Sequence, residues 1–288
     1  MNNSHKKKIL LLLPPRNQNI KVILPPLGIL YIGAVLIENG FDVKVIHSSI
    51  ENYSCQDVIN HINTTNYDFI GITAVSETRY NALQIISKIK TNAKIIVGGV
   101  HFTFCDIETL KQYSKIYCVV RYEGEISFLE LCQDKELKNI KGITYRNKKN
   151  EVIRNPDADL IDLKKLPWPA RELIPMEKYK ATIDGEFATP CTSIMTSRGC
   201  PNNCVFCSNA SYWKRTFRVR DPIDVVDEIE YIVKKYNIIG FDIWDDTLTI
   251  SRKHVSSICN EILRRNLNIK FYARIRVNTV DRELLILM

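Results

Sequence analysis

Three cysteines lie within eight residues in the second half of the chain, and their spacing is the strongest chemical signal in the sequence. Cys200, Cys204 and Cys207 form the pattern C-x3-C-x2-C, and Phe206 directly precedes the third cysteine. Thiolates bind zinc and iron, and four of them complete a structural zinc site or an iron–sulfur cluster. Three thiolates leave one metal position open, and an open position allows chemistry.

A zinc site on these cysteines would need a further ligand from elsewhere in the chain. The other six cysteines are scattered through apolar segments and form no second close pair: Cys55, Cys105, Cys118, Cys132, Cys191 and Cys259. Cys191 or Cys259 would have to approach the trio in space. Because cysteine is often buried as a small apolar residue, we interpret these six as ordinary thiols and favour a cluster.

The segment from Ser197 to Cys207 resembles the cluster motif of the radical S-adenosylmethionine (radical SAM) superfamily. The resemblance implies that the three thiolates hold three irons of a [4Fe–4S] cluster, while S-adenosylmethionine (SAM) chelates the fourth. It implies that the reduced cluster cleaves SAM to a 5′-deoxyadenosyl radical, with a flavodoxin or ferredoxin as external electron donor. It also implies that Phe206 flanks the adenine of SAM, whereas a packing role is the alternative.

Composition and charge narrow the class of protein. The chain has 288 residues, of which 45% are apolar and 25% charged, as in a soluble globular protein of one large or two ordinary domains. No apolar run approaches the roughly 20 residues of a membrane span. Nine cysteines without a secretion signal predict a reducing compartment, the cytoplasm.

The net charge of +8 is mild. After the N-terminal lysines, the densest basic cluster is formed by Lys214, Arg215, Arg218 and Arg220. Such a cluster can bind phosphate or nucleic acid, but it is more often a solvated face. We therefore do not expect a nucleic-acid partner.

Residues 8–133 alternate short apolar segments with amphipathic ones. The predicted strands are Ile9–Leu13, Asp42–His47, Asp68–Thr73, Ala93–Val97 and Ile116–Val120, and the predicted helices are Leu27–Glu38, Ser54–Asn63, Glu77–Lys90 and Gly124–Leu131. Strands that are apolar on both faces and are separated by single helices indicate a doubly wound, Rossmann-like parallel sheet. We assign this α/β domain to residues 1–135.

Ligands of doubly wound sheets bind at the carboxyl ends of the strands, where four loops carry unusual residues. Paired prolines bound the first loop, from Pro14 to Pro26, and the later loops supply Thr73, the pair Gly98 and Gly99 with His101, and Glu123. Paired glycines would let a ligand approach the backbone. Turns of α/β units also use glycine and proline, so a purely structural origin remains open for part of this pattern.

The arrangement resembles the cobalamin-binding (B12-binding) domain that precedes the core in one radical SAM class. The matching segments are Pro26-Leu27-Gly28, Gly98-Gly99-Val100-His101 and Glu123-Gly124-Glu125. The resemblance implies cobalamin as a cofactor. The Asp-x-His-x-x-Gly motif that supplies a cobalt ligand in many B12 proteins is absent, so cobalamin would be held without a protein histidine on cobalt, or not held at all.

Residues 136–190 read as a connecting segment. Gly142–Arg146 and Glu151–Arg154 flank polar turn residues and predict a hairpin, and Leu166-Pro-Trp-Pro169 predicts an extended stretch.

Residues 191–288 resume the α/β alternation with strands Ser193–Ser197, Ile239–Trp244 and Ile269–Val277. They predict the N-terminal half of a (β/α) radical SAM barrel, because the superfamily usually has six such strands.

Charged residues near the last two strands complete the candidate site. Asp245 and Asp246 resemble an acidic pair of the class, which implies contact with the amino group or ribose of SAM, although capping or surface roles are equally compatible. The strand period places Tyr272, Arg274 and Arg276 on one face. Arg276 matches a class position that implies a clamp on the SAM carboxylate, and pairing with a nearby aspartate is the alternative.

We therefore expect a radical SAM enzyme that links cobalamin to methyl transfer, cyclisation or rearrangement of a small metabolite. The alternatives are a radical SAM enzyme that modifies tRNA or protein, and a non-catalytic cluster-binding fragment. The first lacks support because the N-terminal domain shows no second cluster motif. The sequence names neither the substrate nor the oligomeric state.

Overall fold

The computed structural model describes residues 6–16, 23–183 and 189–288. The chain divides into two compact units. The first comprises Met1–Ile20, Gly28–Ile161 and Pro167–Pro175, and the second comprises Lys21–Leu27, Asp162–Leu166 and Met176–Met288. The middle of the proline-bounded first loop, residues 17–22, lies outside the described residues, as do residues 184–188 at the end of the connecting segment.

The first unit contains a seven-stranded sheet. Its strands are β1 (Lys8–Leu13), β2 (Asp42–His47), β3 (Phe69–Thr73), β4 (Lys94–Gly98), β5 (Ile116–Val120), β6 (Ile143–Arg146) and β7 (Val152–Arg154). The order is β2-β1-β3-β4-β5-β6-β7, and the first five of these are mutually parallel. The side chains of β1, β3 and β5 are largely buried on both faces, as the continuous apolar run of β1 predicts, whereas the edge strand β2 exposes Asp42 and Lys44. The predicted doubly wound sheet is confirmed.

Seven helices accompany this sheet in the described part of the unit. They are α1 (Leu27–Glu38), α2 (Ser48–Glu51), α3 (Cys55–Thr64), α4 (Arg79–Lys88), α5 (Val100–Phe104), α6 (Asp106–Gln112) and α7 (Glu125–Cys132). Ser54 caps α3 by accepting a hydrogen bond from the Asp57 N–H, while the Asp57 side chain accepts from the Ser54 N–H. The sequence did not predict α2, α5 or α6, because helices of four to seven residues are too short to show a 3.6-residue period.

The hairpin that the sequence assigned to the connecting segment belongs to the first unit. β6 pairs antiparallel with β5, and β7 pairs antiparallel with β6. The hairpin therefore covers the edge that β5 would otherwise expose. Between β7 and residue 181, where the structure describes every residue, the chain forms short 3-10 turns at Leu163–Lys165, Arg171–Leu173 and Met176–Lys178.

The second unit contains a four-stranded sheet and a separate two-stranded one. Its strands are β8 (Thr182–Ile183), β9 (Thr189–Ile194), β10 (Ser197–Arg198), β11 (Arg218–Val219), β12 (Gly240–Ile243) and β13 (Lys270–Ala273). The larger sheet has the order β13-β12-β9-β8, in which β9, β12 and β13 are parallel. β10 and β11 pair antiparallel beside it. Three parallel strands are what the predicted half barrel requires.

The helices of the second unit are α8 (Asn209–Tyr212), α9 (Pro222–Tyr236), α10 (Arg252–Arg264) and α11 (Arg282–Leu287). Asp221 caps α9 and is followed by proline at the first helical position, while Ser251 caps α10, as the sequence predicts. Apolar residues of α9, α10 and the sheet line a common interior, among them Ile194, Ile229, Phe241 and Val255. None of the helices in the described ranges has the length and apolarity that crossing a bilayer requires.

The last strand is shorter than the sequence predicts. β13 ends at Ala273, and residues 277–279 form a 3-10 turn, so Arg274 and Arg276 follow the strand and do not share a strand face with Tyr272. Arg274 turns back to Asp242, with 3.0 Å between Nη1 and Oδ1. This ion pair links the residue that follows β13 to β12.

Candidate functional site

The loops after β3, β4 and β5 meet at one end of the first sheet. The Ala74 N–H donates to the Gly98 carbonyl over 3.1 Å, and the His101 N–H donates to the Ala74 carbonyl over 3.2 Å. The Tyr122 N–H donates to Thr103 Oγ1 over 3.0 Å. These bonds join the three loops into a single surface at the carboxyl ends of neighbouring parallel strands, which is where such sheets bind ligands.

The paired glycines, Gly98 and Gly99, allow these loops to pack closely against one another. Gly99 has φ +87°, and a Cβ there would lie 2.5 Å from Thr73 Oγ1 and 2.9 Å from the Ala74 carbonyl. A Cβ on Gly98 would lie 3.1 Å from the Val120 carbonyl. The sequence suggested that these glycines open the backbone to a ligand. The space that a side chain would need at these positions is filled by the neighbouring loops, and the approach of a ligand to this backbone stays a prediction.

The other residues predicted at this end differ in accessibility. His101 is partly buried, and burial together with the positive charge of Arg79 lowers the pKa of its imidazole. Glu123 is buried, and its Oε2 accepts a hydrogen bond from the Ile161 N–H over 3.2 Å. This carboxylate oxygen therefore holds the segment after β7. Of these residues, His101 is the more accessible to a ligand.

Exposed apolar side chains cluster at the same end of the sheet, and the sequence did not reveal them. They follow β3, β4 and β5 in turn and are between 39% and 64% exposed: Val75, Tyr80, Val100, Phe104 and Ile126. We call these five residues the apolar edge patch. Exposed apolar residues grouped at one end of a domain indicate a binding surface. The patch offers a face for a large, flat, partly apolar ligand.

The second candidate region is the cysteine loop, residues 199–207, which lies between β10 and α8. All three cysteines are free thiols and partly exposed. The Cys207 N–H donates to the Cys204 carbonyl over 3.0 Å, which tightens the turn between the last two cysteines. Phe206 is 90% exposed. The packing alternative for Phe206 therefore finds no support in the described residues.

Hydrogen-bond donors and hydroxyls surround two of the three sulfurs. Asn202 Nδ2 donates to Cys200 Sγ over 3.2 Å, and Thr247 Oγ1 lies 3.8 Å from the same sulfur. Arg276 Nη1 donates to Cys204 Sγ over 3.3 Å. Donors to sulfur stabilise the thiolate form that binds metal and tune the reduction potential of a bound cluster. The sequence did not point to Asn202 or Thr247.

The donor set fits a cubane cluster better than a single ion. Within the described residues, no group of three or more histidine, cysteine, aspartate and glutamate side chains is arranged to hold one metal ion. In a cubane each thiolate binds its own iron, so the sulfurs need not converge on one point. Three thiolates in one loop fit a [4Fe–4S] cluster with one iron open to an external ligand.

Asp245 holds the two residues that shortly precede the cysteine loop. Its Oδ1 accepts from the N–H groups of Thr196 and Ser197 over 2.7 and 3.0 Å, and its Oδ2 accepts from their hydroxyls over 2.6 and 2.5 Å. The residue is 1% exposed, and burial raises the pKa of its carboxyl. Because both oxygens accept hydrogen bonds from Thr196 and Ser197, Asp245 holds the loop, and a contact of this residue with SAM stays a prediction.

Asp246 holds the other part of the loop. Its Oδ1 accepts from Asn209 Nδ2 over 2.5 Å, and Gly199 and Trp213 also hydrogen-bond to this carboxylate. Burial raises the pKa of the carboxyl, and Asp245 next to it adds to that rise. The two adjacent carboxylates therefore tie residues before, within and after the cysteine loop to the end of β12.

His254 is a buried member of this network that sequence reasoning missed. Its Nε2 lies 3.1 Å from Thr196 Oγ1, which in turn donates to Asp245. Burial lowers the pKa of the imidazole, so the ring is held neutral. A lone histidine on an amphipathic helix gives no signal that could have identified this role.

A strained turn packs against the start of the cysteine loop. Lys214 and Arg215 both have left-handed backbone angles, with φ +53° and +54°, and the Thr216 N–H donates to the Trp213 carbonyl over 3.0 Å to close the turn. A Cβ on Gly199 would lie 2.3 Å from the Thr216 carbonyl, so only glycine fits there. Left-handed non-glycine residues cost about 1–3 kcal/mol each and concentrate at functional sites.

Comparison with known protein families identifies the first unit. The B12 binding domain family matches residues 15–132. This range begins just after β1 and contains β2 to β5 together with the joined loops after β3, β4 and β5.

Two curated relatives extend the match beyond that domain. An uncharacterized methyltransferase of Pyrococcus horikoshii is 36% identical over 96% of this chain and 61% of its own length. The anaerobic magnesium-protoporphyrin IX monomethyl ester cyclase of Rubrivivax gelatinosus is 32% identical over 90% of this chain and 48% of its own length. Both alignments cover the B12-binding domain and the cysteine loop together. The chain belongs to the B12-binding-domain radical SAM class.

A solved structure of this class has the same fold. The radical SAM methyltransferase TsrM from Kitasatospora setae, solved with cobalamin and a [4Fe–4S] cluster, matches with a TM-score of 0.77 at 18% identity. The match covers 98% of this chain and 56% of TsrM. This chain therefore spans about half to three fifths of the length of the class members described above.

Proposed function

We propose that this chain is the cofactor-binding part of a cobalamin-dependent radical SAM enzyme. The enzyme would carry out methyl transfer, ring closure or rearrangement on a small metabolite. The observation that supports this most directly is the cysteine loop, in which three free, accessible thiols follow a B12-binding domain in one chain. Bound together, the cluster and SAM supply a carbon radical, and cobalamin supplies a carrier for a methyl group.

The relatives indicate the substrate class. Their names describe methyltransferases and cyclases, and one neighbouring structure contains tryptophan as the substrate of TsrM. These substrates are small molecules, so we propose a small-molecule substrate here. The specific metabolite would be selected by parts of such enzymes that this chain does not span.

We propose Cys200, Cys204 and Cys207 as the cluster ligands. Asn202 and Arg276 would donate hydrogen bonds to the bound thiolates, and this support favours their charged form. Phe206 would flank the adenine of SAM, since its ring is exposed directly beside Cys207. Asp246 and Arg276 remain our candidates for polar contact with SAM.

We propose that cobalamin lies against the apolar edge patch. A corrin ring is broad and partly apolar, and the patch presents side chains from the segments that follow three neighbouring strands at the ligand-binding end of the sheet. Thr73, Gly98, Gly99, His101 and Glu123 frame this region. With no Asp-x-His-x-x-Gly motif in the sequence, cobalt would have no histidine ligand from such a motif.

The remaining expectations follow from the chemistry. A cluster of this kind needs an external one-electron donor, which we propose to be a flavodoxin or ferredoxin. It also needs a reducing compartment, which favours the cytoplasm. The slight positive charge gives no support to a nucleic-acid substrate.

Cobalamin binding by the full chain tests the first half of this proposal. The chain would be equilibrated with hydroxocobalamin, freed of unbound corrin, and examined by absorption spectroscopy. We expect about one cobalamin per chain with a spectrum that lacks protein imidazole coordination. Replacement of Val100 by Glu should weaken binding, because a charge would be buried against the corrin. Absence of any retained corrin would remove cobalamin from the proposal.

A further inference from the structure

The basic turn next to the cysteine loop suggests how electrons reach the site. Residues 187–220 contain no aspartate or glutamate, and this 34-residue stretch carries five basic residues and all three cluster cysteines. Residues 1–37 also lack aspartate and glutamate and carry five basic residues, but they contain no cysteine. The segment around the cysteines is therefore positively charged as a unit.

These five basic residues differ in their exposure to solvent. Arg220 is buried and pairs with Asp224 and Glu228, at 2.6 and 2.5 Å, and Arg198 is also buried. Arg218 is partly buried, and its guanidinium lies 5.9 Å from the ring centre of Trp213. Lys214 and Arg215 are exposed. The outward-facing charge is thus concentrated in the strained turn.

This turn lies directly against the cysteine loop. The Thr216 carbonyl is so close to Gly199 that no Cβ fits between them, and Gly199 immediately precedes Cys200. The carboxylate of Asp246 binds both Gly199 and Trp213, which fixes the turn relative to the loop. A partner docked on Lys214 and Arg215 would therefore stand next to the first cluster ligand.

We propose that the turn formed by Trp213, Lys214, Arg215 and Thr216 is the docking site for an acidic one-electron carrier protein of the flavodoxin or ferredoxin type. This inference rests on the function proposed above and adds the surface through which the cluster is reduced. One electron passes from the flavin or iron–sulfur centre of the carrier to the oxidised cluster, and no atom is transferred. Opposite charge steers such short-lived complexes together and raises their association rate.

The left-handed backbone of the turn provides a substitution that removes the charge without endangering the fold. Two consecutive left-handed positions favour Asn-Gly. The double variant Lys214→Asn, Arg215→Gly therefore removes two positive charges while relieving strain. The matched control is Lys148→Asn, Lys149→Asn, which removes two exposed positive charges from the hairpin turn of the first unit.

The first measurement is binding of oxidised flavodoxin, followed by flavin fluorescence anisotropy, to the metal-free full chain at low and high ionic strength. We expect the turn variant to bind on the order of tenfold more weakly than the unmodified chain at low salt, a difference that salt reduces. The control variant should bind like the unmodified chain. Equal affinity of all three proteins, or equal losses in both variants, would overturn the proposal.

The second measurement follows reduction of the reconstituted cluster after mixing with flavodoxin hydroquinone. The turn variant should be reduced more slowly by flavodoxin but at an unchanged rate by dithionite, which needs no docking site. If the turn variant instead binds flavodoxin normally and loses affinity for a single-stranded RNA oligonucleotide, the patch is a nucleic-acid site and the proposal is wrong. Failure to take up iron would refute the function proposed above, whereas the binding result stands independently of iron.

Discussion

Arg276 Nη1 donates a hydrogen bond to Cys204 Sγ over 3.3 Å, although the two residues are 72 positions apart in the sequence. The arginine follows the last strand of the second unit, and the cysteine lies in the loop after its first parallel strand. The contact therefore connects the segment after the last strand of this sheet to the cysteine loop. It also places a permanent positive charge on one predicted cluster ligand.

This contact predicts an effect on the reduction potential. Donors to a cluster sulfur stabilise the more negative, reduced state, so Arg276→Gln should make the midpoint potential more negative. Preferential stabilisation by about 1.4 kcal/mol corresponds to about 59 mV for one electron, so the shift should amount to tens of millivolts. Electron paramagnetic resonance during a redox titration measures it.

Arg274→Gln is the matched control for this experiment. Arg274 pairs with Asp242, and no hydrogen bond from it to a cysteine sulfur is seen in the described part of the chain. Its replacement should leave the potential within a few millivolts of the original value. Equal potentials for all three proteins would show that Arg276 leaves the sulfur once the cluster is bound.

Asp245 should be required for a stable cysteine loop. In Asp245→Ala, two backbone N–H groups and two hydroxyls lose their acceptor in a buried position, so we expect a loss of about 3 kcal/mol or more in the free energy of unfolding. Iron uptake should fall with it. Asp245→Asn should be milder, since the amide oxygen still accepts from the N–H groups. Denaturant unfolding and iron analysis provide the two readouts.

The control for Asp245 is another aspartate near the same strand. Asp242→Ala breaks a partly exposed ion pair with Arg274, which contributes about 1 kcal/mol or less. If Asp245→Ala lowered the free energy of unfolding no more than Asp242→Ala does, Asp245 would not hold the cysteine loop. It would then favour a direct SAM contact for this carboxylate.

Gly99 should tolerate no side chain. Its φ of +87° and the 2.5 Å approach of Thr73 Oγ1 to a Cβ predict that Gly99→Ala destabilises the first unit by about 2 kcal/mol or more. Gly28→Ala is the control, because a Cβ at Gly28 would meet no atom within 4 Å. Thermal unfolding distinguishes them. An unchanged melting temperature for Gly99→Ala would mean that the loop after β4 is not held as described.

His47 should make the first unit sensitive to acid. Burial, assisted by the positive charge of Arg16, lowers the pKa of His47 to about 4, well below its ordinary value. The folded state therefore holds the neutral ring, and its stabilising contribution is present above the unfolded pKa of about 6.5 and is lost as the pH falls toward 4. Between pH 7 and pH 5 this should cost about 2 kcal/mol.

Hydrogen exchange of the β1 and β2 amides at pH 7 and pH 5, corrected for intrinsic rates, measures this loss. His47→Gln cannot take up the proton, so the loss of protection should be smaller in that variant by the same amount. If the variant and the unmodified chain lose protection equally, other groups determine the acid sensitivity.

The sequence predicted the repeating elements well because their burial follows simple periods. The bounds of α1, β2 and β5 agree with the structure at both ends, and the caps of α9 and α10 lie where Asp221 and Ser251 predicted them. The continuous apolar run of β1 was enough to predict a parallel, doubly covered strand. Local residue patterns carry this information, so no tertiary contact was needed.

What the sequence could not provide depends on contacts between distant residues. The hairpin of β6 and β7 was recognised, but its pairing with β5 was not, because an edge strand does not encode its neighbour. Asp245 was noticed as a charged residue near a cofactor, yet its role follows from hydroxyls almost 50 positions away. The apolar edge patch is likewise formed by one loop and three helices that are separate in the chain.

The most direct test of the account is the iron content of the anaerobically reconstituted chain. The account predicts about four irons per chain with broad visible absorption, lost when Cys200, Cys204 or Cys207 is replaced by alanine and retained in Cys55→Ala. Cys55 is a partly exposed thiol outside the loop and controls for loss of a cysteine as such. Stoichiometric zinc without iron uptake, or full iron content in the three loop variants, would contradict the account.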